Sequence, residues 1–356
     1  MVVLNLRDAD GSRMATSFQR GMTDKRFLEL EITAWLASEE RKRQLAGEAY
    51  YDGEQAVLHR QRIAIGEDGK PVPLENLPNN RLVHNMYSKM VDQKTNYSFG
   101  RSFSFDTENK EYAKALGTVF GPRFRRTLRN IGEGAFIGGK SWLYPYYDNG
   151  ELCFKRFPAD EVLPFWADAD HTILDAAVHI YVMLEYDENE QTKKVVKVEV
   201  MHGGGVDCFI RRDDGTLEPD PDAQSGSYMT VTDPSTGEVS GYNWERIPLI
   251  CFKSSHHEIP LLSKVKCLQD AYNDILSNFA NQMEEDIHST ILVIKNYDGE
   301  DLGTFRKNLA TYGAIKVRSY EGSDGGVDTL EITVNAENYK VLLSLLKDAI
   351  IENARG

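Results

Sequence analysis

Between positions 261 and 288, apolar residues recur at alternating steps of three and four: Leu261, Val265, Leu268, Tyr272, Ile275, Phe279, Met283 and Ile287. That spacing draws one continuous apolar stripe along a helix. At 1.5 Å per residue the stretch is roughly 42 Å long, well beyond the about three turns of an average globular helix. Pro260 stands at its start, where a missing N–H costs nothing. Past His288 the pattern changes to a β-branched run over 289–295, and Asn296 to Gly299 reads as a turn. A short helix over 302–309 and strands over 314–319 and 329–334 follow, the strands separated by the glycine-rich turn 322–326. Asn335 is placed to cap a second helix over 336–353, with Tyr339, Leu342, Leu343, Leu346, Ala349 and Ile350 on its apolar side. The expected order is a long helix, a compact αβ insert, and a helix returning beside the first.

Upstream, a helical pattern over 24–46 carries Phe27, Leu28, Leu30, Ile32, Trp35 and Leu36. It leads to Tyr50 and Tyr51 before Asp52-Gly53, a natural helix stop. Residues 60–80 are loop-like, punctuated by Gly66, Gly69, Pro71, Pro73 and Pro78. A helix over 86–97 and an alternating strand over 98–105 come next. Strand patterns then run over 142–148, 151–157, 161–166, 176–185 and 193–202. The stretch 211–242 is rich in Asp, Gly, Pro and Ser and reads as a flexible hairpin tip, and 247–250 returns the chain to the sheet. Residues 1–24 show no periodicity and are expected to form a mobile arm.

Composition narrows the function classes. No run approaches the eighteen or so apolar residues of a membrane span, and the first residues lack a secretory signal, so no membrane partner is expected. Cys153, Cys208, Cys251 and Cys267 form no CxxC pair and suggest neither zinc nor a disulfide framework. A net charge of −14 argues against a protein that holds DNA tightly through phosphate neutralisation. From 261 to the end, 10 Lys+Arg stand against 15 Asp+Glu, a net of −5, with Glu284-Glu285-Asp286 at the carboxyl end of the long helix, where the macrodipole disfavours them.

The order of these motifs resembles a known family. Tyr50, Tyr51 and Gly53 closing an N-terminal helix, Asn79-Asn80-Arg81 followed by Asn85 and a helix, and Val91-Asp92 with Tyr97 and Gly100 look like the start of the portal proteins of tailed bacteriophages, siphovirus type. The similarity continues through the tyrosine-rich 142–148 and the later strands to the paired helices, covering most of 25–355. It implies an α+β subunit: a mobile arm (1–24), a wing of helices and β-rich sheet (25–258), a first stem helix (259–289), a clip (290–335) and a second stem helix (336–356). Portals of this family continue into a helical crown, and the sequence is expected to stop before it. The resemblance implies no enzyme activity and no cofactor. It implies a homo-oligomeric ring, typically of twelve, at the capsid vertex of the virion, assembled in the host cytoplasm. Its expected partners are the terminase large subunit, head-completion and adaptor proteins, scaffold and major capsid protein, and the double-stranded DNA passing through. On that reading Asp270, Asp274, Glu284, Glu285 and Asp286 include channel-facing positions, and Arg306, Lys307, Lys316 and Arg318 are clip residues that dock a partner by charge.

Three other motifs compete for attention. Gly134 to Ser141 spells GxxxxGK[ST], the phosphate-cradling loop, which makes an NTPase using Lys140 and Ser141 the alternative function. That loop needs a strand before it and a helix after it, and here the pattern is inverted. Arg123, Arg125, Arg126 and Arg129 could touch phosphates, but a solvated face paired with acidic neighbours in the same or an adjacent subunit is the simpler reading. His256 and His257 are adjacent, so they share no face of a helix or strand, and no metal site is expected there.

Overall fold

The computed structural model describes residues 24–65, 69–73, 77–186, 192–288, 291–295, 326–330 and 336–355. It is an α+β fold of helices and antiparallel sheets. The chain divides into two compact units. One comprises the chain up to Glu54, Asn85–Lys266 and the residues from Ile350 on, and the other Gln55–His84 with Cys267–Ala349.

The first unit opens with α1 (Lys25–Leu36) and α2 (Glu39–Tyr51), where the pattern suggested one helix. The chain breaks there because the Ser38 hydroxyl accepts the Arg41 N–H at 3.2 Å and caps a new helix with Glu39 and Glu40 in its first turn. α3 (Met86–Phe99) is capped by Asn85, and α4 (Lys110–Val119) and α5 (Pro122–Gly138) follow. The strand expected over 98–105 does not form. α3 absorbs Ser98 and Phe99, residues 100–109 hold no strand, and Phe103 and Phe105 instead pack on Phe124 and Phe120 at 6.1 and 5.3 Å between ring centroids. The alternating aromatics mark an aromatic cluster, whose spacing mimics a strand.

Two sheets complete this unit. β3 (Lys140–Asp148), β4 (Glu151–Phe157) and a late strand (Ile250–Lys253) form one, in which β3 is central. The other is a five-stranded antiparallel meander of β5 (Val162–Trp166), β6 (Leu174–Tyr186), β7 (Thr192–His202), β8 (Gly205–Arg211) and β9 (Leu217–Pro219). Side chains alternate across a strand, so Ala176, Val178 and Ile180 of β6 face one core while Ala177 faces another. α1 supplies Leu28, Ile32 and Trp35 to the first core, each contributing about 1.5–3 kcal/mol by burial. The second core holds Trp142, Phe157, Val162 and Trp166. Within 211–242 the chain makes β9 and an exposed hairpin of β10 (Met229–Thr232) and β11 (Val239–Tyr242). The late strand Ile250–Lys253 is β12.

In the second unit, Ala56–His59 form a 3-10 turn, and β1 (Ile63–Ile65) pairs with β2 (Pro71–Pro73) in a small hairpin. The long helix α6 runs Leu262–His288, one residue shorter than its pattern, and belongs to this unit from Cys267 on. β13 (Ile291–Lys295) pairs antiparallel with β14 (Gly326–Leu330), which begins three residues before the predicted strand. α7 (Ala336–Arg355) follows and belongs to this unit as far as Ala349. The expected arm, the helix over 302–309, the strand over 314–319 and the Asn335 cap lie outside the described residues. No helix among the described residues is long and apolar enough to cross a membrane.

Candidate functional site

α6 carries a second periodicity besides its apolar stripe. Gln269, Asn273, Ser277 and Asn281 recur every four residues, and all four are at most 2% exposed. Neutral polar side chains buried this deeply need hydrogen-bond partners, and the segment 80–84 supplies them. The amides of His84, Leu82 and Asn80 donate to Asn273 Oδ1 at 2.9 Å, Ser277 Oγ at 3.0 Å and Asn281 Oδ1 at 2.6 Å. Every second residue of the strap thus meets every fourth residue of the helix. Gln269 donates to the His84 carbonyl at 2.9 Å, Asn273 donates to Gln55 Oε1 at 2.6 Å, and the His84 ring stacks on Tyr272.

The channel candidates can be placed on this frame. Asp274 accepts from Arg60 at 3.3 Å, and Glu284 accepts from the Asn80 side chain at 3.0 Å. At about 100° per residue, Asp270, Asp274 and Glu284 share the helix face of the ladder. Glu285 and Asp286 lie in the last turns of α6, their side chains outside the described residues. The apolar stripe lies on the other side. Leu268, Tyr272, Ile275 and Phe279 are half-buried, and Met283 is exposed. Tyr339 of α7 packs on Phe279 with centroids 4.9 Å apart and donates its hydroxyl to Gln282. The clip residues Arg306, Lys307, Lys316 and Arg318 lie outside the described residues.

In the first unit the GxxxxGK[ST] match is a helix-to-strand junction: α5 ends at Gly138 and β3 begins at Lys140. Lys140 is 3% exposed, and its Nζ sits 2.8 Å from both Glu40 and Glu258. Burial depresses its affinity for a proton, but the two carboxylates outweigh that and raise its pKa above the ordinary lysine value. Ser141 is fully buried, its Oγ 3.5 Å from the Phe157 carbonyl. Gly139 adopts φ 84°, and a Cβ there would collide with the Glu258 carbonyl. A Cβ at Gly134 would strike the Arg156 guanidinium. These glycines serve close packing, and the lysine is committed to two carboxylates. The loop therefore has no amine to offer a phosphate, and the NTPase alternative is set aside.

Glu258 is the hub of this junction. Besides Lys140 it takes Lys253 at 2.8 Å and His171 Nδ1 at 2.7 Å, while itself in a left-handed conformation, φ 54°. Burial pushes its carboxyl up, but His171, Lys140 and Lys253 together hold it well below the usual carboxylate range. A second buried ionic group lies on the sheet. Both ring nitrogens of His179 face carboxylates, Glu199 at 3.0 Å and Glu161 at 3.3 Å, and the ring stacks on Phe157. Burial lowers the His179 pKa, and the carboxylates more than reverse this, leaving it raised.

The arginines of α5 are all exposed. Arg125 donates to the Phe103 carbonyl at 3.4 Å and Arg129 to Asn96 at 3.1 Å. The acidic neighbours expected for this cluster are not met within the chain, among the described residues. His256 and His257 touch edge to face at 5.5 Å, and no group of three or more metal-ligating residues gathers among the described residues.

The geometry shows long helices braced by polar contacts, and a loop whose phosphate-binding signature is spent on packing. The comparisons agree: the chain belongs to the phage portal proteins. The matching family model is that of the SPP1 Gp6-like portals, and it spans residues 37–355. A portal protein of Clostridium phage phiCD119 is 27% identical over 353 residues, covering 92% of this chain and 72% of that one. A portal protein of Bacillus phage SPP1 is 26% identical over 315 residues, covering 88% of this chain and 60% of its own length. The alignment therefore leaves 28 to 40% of those relatives unmatched, from 100 − 72 and 100 − 60.

The ladder and the Glu258 hub escaped the sequence reading. The ladder had a signal: amide and hydroxyl residues at a strict four-residue interval are unexpected on a solvated helix face. The hub had none, since Glu40, Lys140, His171, Lys253 and Glu258 are scattered over more than two hundred positions.

Proposed function

We propose that this chain forms a ring, of about twelve copies as the family typically does, at one vertex of the phage capsid. Double-stranded DNA passes through the ring during packaging and ejection. Its role is structural. The terminase large subunit and head-completion or adaptor proteins dock on it, the latter through the clip cations Arg306, Lys307, Lys316 and Arg318. Scaffold and major capsid protein surround it, and it assembles in the host cytoplasm before becoming part of the virion. In this reading residues 25–258 are the wing, 259–289 and 336–356 the stem helices, and 290–335 the clip.

The observation that carries the proposal is the family match along 37–355. The half-open apolar stripe of α6 and the exposed Leu342 and Leu345 of α7 support it, because neighbouring copies would cover them. The net −5 from 261 onward lines the conduit with charge that repels phosphate, so DNA slides without sticking. Asp274 and Glu284 already have partners in their own chain, so Glu285 and Asp286 are the residues to test first. Light scattering on the purified chain, with negative-stain images of the same peak, should show a ring with a central hole. A protein that stays monomeric at every concentration would overturn the reading. In a ring that packages DNA, Glu285→Lys with Asp286→Lys should slow packaging or retain DNA.

A further inference from the structure

Two surfaces of opposite charge in the first unit each carry charged groups that find no ionic partner among the described residues. Residues 101–130 hold 7 Lys+Arg and 3 Asp+Glu, a net of +4 in a chain of −14. Four of those charges are the exposed arginines in the first two turns of α5, a helix with no acidic residue in its first turn. The positive end of the helix dipole disfavours cations there, so helix stability does not account for them. Arg125 and Arg129 reach only uncharged oxygens, and the side chains of Arg123 and Arg126 make no hydrogen bond or ion pair among the described residues. The same stretch carries the exposed rings of Phe105 and Tyr112, and the Arg125 guanidinium lies over the Phe103 ring. Arginine mixed with aromatic side chains is the make-up of protein interfaces.

The opposite surface is the stretch 213–245, with 8 Asp+Glu and no Lys or Arg, a net of −8. Its β10–β11 hairpin is almost wholly exposed, and Val231, Val239 and Tyr242 stand 55, 65 and 54% open. Asp214 and Asp233 spend their carboxylates on their own turns, Glu218 binds Arg212, and Asp220 and Asp222 pair with Lys197. Asp213, Glu238 and Glu245 are exposed, and their carboxylates have no partner among the described residues.

We infer that the β10–β11 hairpin and its flanking carboxylates in one copy dock on the arginine-lined start of α5 in the next copy. Two unlike patches that attract make a head-to-tail contact, the kind that closes into a ring when the rotation per copy allows it. The inference rests on the ring reading above and names the surfaces that would build it. Duplex DNA could also meet the arginines, but it would leave the acidic hairpin and the exposed apolar groups on both surfaces without a role.

The test uses the full chain in three forms: wild type, R123E/R126E, and E238K/E245K. Each reversal alone should weaken association about tenfold or more, since like charges brought together at an interface are strongly unfavourable. Circular dichroism and thermal melting of each variant should match the wild type. An equimolar mixture of the two variants should associate again, because each then meets its complement, and high salt should weaken the wild-type contact. Undiminished association of either variant alone, or a mixture of folded variants that fails to associate, would overturn the inference. So would loss of binding to a fluorescent DNA duplex in R123E/R126E with assembly unchanged, which would assign the arginines to phosphate. A wild type that associates through this pair without closing a ring would count against the ring reading alone.

Discussion

The two units bury polar groups by opposite means. Around Lys140 and Glu258 the first unit buries full charges and matches each with two or three partners. On α6 the second unit buries neutral amides and a hydroxyl and satisfies them with backbone N–H groups and the Gln55 side chain. An ion pair taken out of water costs so much that removing one member leaves a large uncompensated charge. A neutral ladder costs less to bury and is lost rung by rung. The first arrangement is therefore brittle and pH-sensitive, and the second is graded and insensitive to pH.

Lys140→Ala should break the contrast most sharply. It strands Glu258 with fewer cations and should cost about 3–5 kcal/mol, read as a drop in the denaturation midpoint. Lys140→Met, of similar length, should be as damaging, because the loss is of charge and not of volume. Asn273→Leu comes next. It deprives the His84 N–H and Gln55 of partners in a buried place and should cost about 2–4 kcal/mol, with faster hydrogen exchange at Leu82 and His84. Ser277→Ala should cost less, about 1 kcal/mol, and a double variant whose cost departs from the sum of the two would show that the rungs do not act independently.

Acidity and alkalinity probe the same contrast with smaller effects. The Glu258 carboxyl is depressed in the fold, so its contribution is present above the unfolded carboxylate pKa of about 4.3 and is lost as pH falls below it. His179 is raised, so its contribution is fully present below the unfolded histidine value of about 6.5 and fades as pH rises through the folded pKa. Melting of the first unit should weaken at both ends of this range, and His179→Gln should remove only the alkaline limb. Protection of the Leu82 and His84 amides should stay level across it. Asn80→Ala, which cuts an exposed contact to Glu284, should have the smallest effect, within about 1 kcal/mol.

Much of this was legible in the residues. The apolar stripe from Leu261 to Ile287 gave α6 to within one residue, and the β-branched runs gave β6 and β7 almost to their ends. The inverted order of helix and strand around Lys140 was enough to doubt a phosphate loop. Phe103 and Phe105 misled because a loop that packs its aromatic rings on neighbouring helices can mimic strand alternation. The strap 80–84 shows no element pattern of its own because its order comes from α6, about two hundred residues away, and no local pattern encodes that. For α6 itself, periodicity located the apolar face correctly but not the relative burial. The polar face is the fully buried one, since 80–84 covers it.

The ladder also sets its own length. Four residues of helix advance about 6.0 Å, and two residues of extended chain advance about 6.6 Å. The two rulers therefore agree for a few divisions and then drift apart. Each step also turns the contact point about 40° around the helix, so the strap must wind as it climbs. After Asn80 and Asn281 the next rung would fall at position 78, which is a proline with no N–H to give. The chain ends the measurement where the mismatch would begin to show, and the strap works as a short vernier that fixes where along α6 it can sit.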